Sequence, residues 1–173
     1  SELALQRSEE ISARLLPLVN KGELAGFESP SNYLPSQLQQ SQRKAYLPED
    51  AELKRRTALA VENLPLKIEK LEDFFTDVAR AKAAKPLTRA DLDHTSFSLG
   101  VDALLMQGSR TPNGWTALMV LKPPLRNGEP GTINLQTIDK ALDGLSVEAK
   151  ASTYVVQINA EASNLYQAYL REA

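Results

Sequence analysis

VDALLMQGSRTPNGWTALMVLK, residues 101–122, decides the fold class. Two apolar runs, Val101–Ser109 and Trp115–Lys122, flank Arg110–Gly114. Within that link, Pro112-Asn113-Gly114 is a hairpin signal, because Asn and Gly tolerate positive φ. The stretch therefore predicts two antiparallel strands. Pro123–Gly131 follows as a turn-rich loop, and Ile133–Leu142 as a helix that Gly144 stops. Thr153–Asn159 (TYVVQIN) is rich in β-branched residues and predicts a strand, with Ala160–Ala173 as a terminal helix. A right-handed crossover would set the strand at 153–158 parallel to the one at 115–122.

Upstream, the pattern changes near Ser96 and becomes helical. Residues 2–19 carry Leu3, Ile11, Leu15, Leu16, Leu18 and Val19 among charged and small residues, with Pro17 expected to end or kink the helix. Lys21-Gly22 is a stop signal, and Glu23–Glu28 alternates like a short strand. Leu34–Leu47 predicts a helix with Pro35 in its first turn, and Pro48-Glu49-Asp50 starts another over Ala51–Asn63. Pro65 breaks that one. In Ile68–Ala84 the residues Ile68, Leu71, Phe74, Phe75 and Val78 follow the spacing of an amphipathic helix. Thr88, with Asp91 three residues on, caps a further short helix. The fold class is α+β with an α/β-like second half. A mainly helical lobe spans 1–95, and a β-β-α-β-α lobe forming a small mixed sheet and a C-terminal helix spans 96–173. Both belong to one domain.

The bulk numbers exclude several function classes. The chain has 173 residues, 42% of them hydrophobic, which suits one globular domain with a core of its own. Lys and Arg total 20 and Asp and Glu 22, so the net charge of -2 gives no pull toward nucleic acid. With no cysteine, thiolate nucleophiles and cysteine-ligated metals drop out. The longest mainly apolar run, Trp115–Leu121, is of strand length and far short of the roughly 20 residues of a membrane span.

Candidate chemistry is thin. His94 is the only histidine, and with Asp91 and Asp93 it falls short of the paired His or Cys ligands a zinc site uses. It reads as part of a helix end and loop. No nucleophile elbow and no phosphate or dinucleotide cradle occurs. Lys54-Arg55-Arg56 shares its helix with Glu49, Asp50, Glu52 and Glu62 and reads as a solvated face. Glu69, Glu72, Asp73 and Asp77 fall on the polar side of the Ile68–Val78 helix. The expectation is a chain that is not an enzyme, with no catalytic residue, no cofactor and no metal. Tyr33-Leu34-Pro35-Ser36-Gln37, ahead of the Gln-rich run Gln37, Gln39, Gln40 and Gln42, suits a helix entry shaped to pack on another domain.

The run SPSNYLPSQLQQSQRKAYLPEDAEL (Ser29–Leu53) resembles a stretch of bacterial predicted exporters of the MMPL type, in the resistance–nodulation–division superfamily. The matching features are Leu34-Pro35-Ser36, the Gln-rich helix and Leu47-Pro48. Gly22–Phe27, Pro86–Thr88, Gly114-Trp115 and the ending Asn159–Ala173 are similar too. The resemblance implies a soluble periplasmic loop domain of a proton-driven exporter at the inner membrane, with both ends of the chain read as cut ends. It implies a role in passing or gating lipid-like cargo, and contacts with the remainder of the transporter and with a periplasmic carrier protein. The proton-carrying acids of such exporters lie in membrane helices, so no functional residue of the family carries over. Candidates for a cargo groove or packing contact are Tyr33, Leu34, Phe74, Phe75 and Trp115. The alternative is a stand-alone periplasmic or cytoplasmic scaffold domain that binds a protein partner.

Overall fold

In the computed structural model of the chain, residues 1–108, 114–158 and 165 are described. The proposed turn at 110–113 and, Leu165 apart, the terminal helix at 160–173 lie outside them. Seven α-helices are found among the described residues, and six short strands form three antiparallel two-stranded sheets. The fold is mixed α+β with a helix-rich first half.

Helix α1 (Glu2–Asn20) is the spine. Pro17 sits inside it and does not end it. The stop comes at Gly22, whose φ of 71 closes the turn while the Glu23 N–H donates to the Leu18 carbonyl at 2.9 Å. The two ends of α1 enter different cores. Leu15 and Leu18 pack with Leu24, Ile138, Leu142, Leu145 and Ala149 in a first core. Ala4 and Leu5 pack with Leu34, Leu92, Val101 and Leu105 in a second. Between them lies Ser8, fully buried, its hydroxyl donating to the Leu5 carbonyl at 2.8 Å.

A single extended run, Trp115–Lys122, also joins the cores. It alternates inward and outward side chains along its whole length but changes partner midway. Strand β3 (Trp115–Ala117) pairs with β2 (Leu105–Gln107), confirming the expected antiparallel pair, and Trp115 and Ala117 pack on the second core. Strand β4 (Val120–Lys122) pairs with β1 (Gly26–Glu28), and Met119 and Leu121 pack on the first core. The loop at 123–131 tightens into a hairpin of β5 (Leu125–Arg126) and β6 (Glu129–Pro130). Its turn residues Asn127 and Gly128 have φ of 55 and 86, as a tight two-residue hairpin turn requires.

Several expectations are corrected. Val101–Leu104 belongs to helix α5 (Ser96–Leu104), not to a strand: Val101 and Leu104, spaced three apart, are both buried, and Val101 packs in the second core. No β-α-β crossover and no parallel pair exists among the described residues. Residues 153–157 have no regular structure. Tyr154, Val156 and Ile158 are exposed there, just after the Thr153 N–H donates to the Lys150 carbonyl. β-branched residues favour a strand only where a neighbour covers one face, and no described strand does so. The segment after Gly144 instead forms the short helix α7 (Val147–Ala151).

Two consecutive glutamates of α1 fix how helices enter the body. Glu9 accepts from the N–H and the hydroxyl of Ser36, at 2.6 and 2.7 Å. Ser36 in turn caps α2 (Gln37–Ala45). Glu10 accepts the same two groups from Ser146, the cap of α7, at 2.6 and 3.0 Å. Each carboxylate sets negative charge at a helix N-terminus, where the peptide dipoles favour it. Asn134 caps α6 (Leu135–Leu142), its side-chain oxygen accepting from the N–H groups of Gln136 and Thr137.

Candidate functional site

Between Pro35 and Asp91 the chain contributes no residue to either core. Most of that stretch is a helical arm: α3 (Asp50–Val61), a 3₁₀ turn (Ile68–Leu71) and α4 (Glu72–Ala83). The two helices run side by side with one buried side chain between them, Phe75. Lys54 lies over the Phe75 ring at 5.4 Å, and Phe74 meets the same ring at 5.6 Å. The arm is tied to the body by polar bonds. Lys82 pairs with Glu49 at 3.0 Å and donates to the Pro48 carbonyl at 3.2 Å. Gln40 of α2 accepts from the Leu87 N–H at 2.7 Å and donates to its carbonyl at 2.9 Å, and Lys44 donates to the Ala84 carbonyl.

The arm carries apolar surface that no described residue covers. Leu59 is 59% exposed, Leu64 52%, Leu66 48% and Phe74 46%. At the tip, Val61, Leu64, Leu66 and Ile68 line an open concavity of about 750 Å³, with Glu62 and Lys67 at its margin. Isolated exposed leucines are ordinary, but a run of them on one element marks a surface built for contact.

The charges of the arm are arranged by side. Arg55 and Arg56 of α3 share Glu52, at 2.8 and 2.6 Å. Hydrogen bonds from both hold the Glu52 carboxyl down from 4.5 to about 2. On α4 the Asp73 and Asp77 carboxylates flank Phe74 and are exposed, with Arg80 3.2 Å from Asp77.

The five residues named from sequence as groove candidates are not brought to one place. Leu34 is buried in the second core, on which Trp115 packs from the sheet side. Tyr33 lies next to Leu34 with its ring across Gly100 of α5, where an added Cβ would sit 3.1 Å from the ring. Phe74 and Phe75 belong to the arm, one exposed and one buried. Sequence reading passed over Leu64 and Leu66. The available signal was a pair of leucines on either side of Pro65, at a point where the chain must turn.

The remaining candidates are structural. His94 has a φ of 64 in the link between the 3₁₀ turn Ala90–Leu92 and α5. Its neighbour Asp93 joins Asp102 in holding Arg89, at 2.7 and 2.6 Å. Asp91 accepts from both the N–H and the hydroxyl of Thr88, which holds its carboxyl below the usual range. Among the described residues no group of three His, Cys, Asp or Glu side chains could hold a metal, and no helix is long and apolar enough to cross a membrane. Comparison of the chain with protein-family models, with curated proteins and with solved structures gives no match.

Proposed function

We propose that the chain is an extracytoplasmic contact domain of an MMPL-type exporter, with no chemistry of its own, that uses the α3–α4 arm to meet a partner while the exporter moves lipid-like cargo. The observation that carries this reading is the uncovered apolar row on the arm, Leu59, Leu64, Leu66 and Phe74. The resemblance over Ser29–Leu53 supports it, since that stretch includes α2 and the start of the arm. A surface attached by hydrogen bonds and not by core packing can shift as a unit against a rigid body. The partners that fit are another loop of the transporter, a periplasmic carrier or the cargo.

A fluorescent fatty-acyl probe titrated into the chain tests the cargo part. Saturable binding that Leu64→Asp weakens is the expected result; no saturable binding would remove cargo from the reading. The coding DNA on both sides of the chain tests the exporter part. Apolar stretches of about 20 residues flanking it are expected, and their absence would leave the alternative, a protein-binding domain that stands alone.

A further inference from the structure

The arm carries two exposed apolar faces flanked by charges of opposite sign. On α3, Leu59 stands one turn beyond Arg55 and Arg56. On α4, Phe74 stands between Asp73 and Asp77. The two charged turns are level with each other, because Lys54 lies over Phe75 and the cleft between the helices is shared by Asp50, Lys54, Glu72 and Thr76. Both arginines remain more than half exposed after pairing with Glu52, with side-chain exposures of 62% and 67%. At the tip, Glu62 and Glu69 offset Lys67 and Lys70, so there is no cationic excess to favour an anionic lipid surface.

We propose that the partner of the arm is a second copy of this chain. A two-fold axis along the arm lays α3 of one copy against α4 of the other and repeats that contact on the opposite side. Arg55 and Arg56 then face the Asp73 and Asp77 of the second copy in both contacts. Leu59 and Phe74 lie between them and lose their exposure. The product is an antiparallel four-helix bundle, the arrangement that buries paired helical hairpins with short connections. Helices of twelve residues are about 18 Å long, so the interface falls at the small end of specific contacts and the dimer is weak and reversible. The charges set register and partner choice more than strength. The inference rests on the arm being a contact surface, not on the exporter reading.

Sedimentation equilibrium of the full chain from about 5 to about 500 µM tests it. The weight-average mass is expected to rise from 19.0 kDa toward twice that value. Arg55→Glu/Arg56→Glu and Asp73→Arg/Asp77→Arg should each weaken self-association by about tenfold or more. Mixing the two variants should restore it, since every crossed contact is then oppositely charged. Circular dichroism of each variant reports whether α3 and α4 remain helical, and the rescue by mixing excludes simple misfolding. A chain that stays monomeric throughout, or associates equally well with either charge pair reversed, or binds phospholipid vesicles only as a monomer, would overturn the second-copy assignment. The acyl-probe result would stand or fall separately.

Discussion

Helix α1 and the α3–α4 arm are both built from helices with comparable apolar content, yet they end in opposite situations. Ala4, Leu5, Leu15 and Leu18 of α1 are all buried, divided between two cores. The arm devotes two twelve-residue helices to its packing and buries Phe75 alone. The difference lies in what surrounds each element. Around α1 the chain returns repeatedly, from Leu24, from Leu92–Leu105 and from Ile138–Ala149, so Ala4, Leu5, Leu15 and Leu18 are covered while Leu3 and Leu16 stay exposed. The arm leaves at Pro48 and returns at Ala84, and no described residue buries Leu59, Leu64, Leu66 or Phe74. An apolar stripe stabilises a helix only when something covers it.

The comparison sets an order of expected effects. The largest is Leu15→Ala, which opens a cavity in the first core and should cost about 2–5 kcal/mol of global stability in urea unfolding. Phe75→Ala removes the only buried side chain of the arm. Because residues 35–91 share no core with the body, it should speed amide exchange across 50–83 while moving the global midpoint far less than Leu15→Ala does. Equal shifts from the two variants would mean that arm and body unfold as one. Smaller again are the caps. Ser36→Ala and Ser146→Ala each remove the hydroxyl that caps a helix and donates to an α1 carboxylate, while the backbone N–H bond to that carboxylate remains, and should cost about 1 kcal/mol each, measured against the same urea baseline.

The smallest effect is acid sensitivity confined to the arm. The Glu52 carboxyl is depressed from 4.5 to about 2. A depressed carboxyl contributes stability that is fully present above its unfolded value and disappears as pH falls through the folded one. Loosening of α3 should therefore develop between pH 4.5 and about 2 and be absent in Glu52→Gln. Site-resolved amide exchange along that titration checks it. Because Glu52 is at the surface, salt should shrink the effect further.

The sequence shows the helices of both body and arm, and less of how they are covered. Helices α1, α4 and α6 follow from apolar spacing and caps, and the β2–β3 pair from two apolar runs around Pro112-Asn113-Gly114. Short apolar runs were the limit. Val101–Leu104 reads as strand by composition, and its helical state follows from Val101 and Leu105, four apart, both entering the second core. The alternation of Trp115–Lys122 is plain in the sequence. Its change of partner after Ala117 is not, because it depends on two cores that residues far apart build around α1. The TYVVQIN run shows the reverse failure. Its composition suits a strand, but pairing needs a neighbour that composition does not supply. For the arm, Leu59, Leu64, Leu66 and Phe74 look like core residues one by one. That they stay exposed depends on which of the described segments reach them, which no local pattern records.

Hydrogen exchange measured by mass spectrometry on the chain at low micromolar concentration tests the central claim most directly. Amides of residues 50–83 are expected to exchange orders of magnitude faster than those of α1 between Leu5 and Leu18, and to slow when the concentration is raised until the arms pair. Protection of the arm equal to that of α1 in the dilute monomer would contradict the account, because it would show that the arm is stable without a partner.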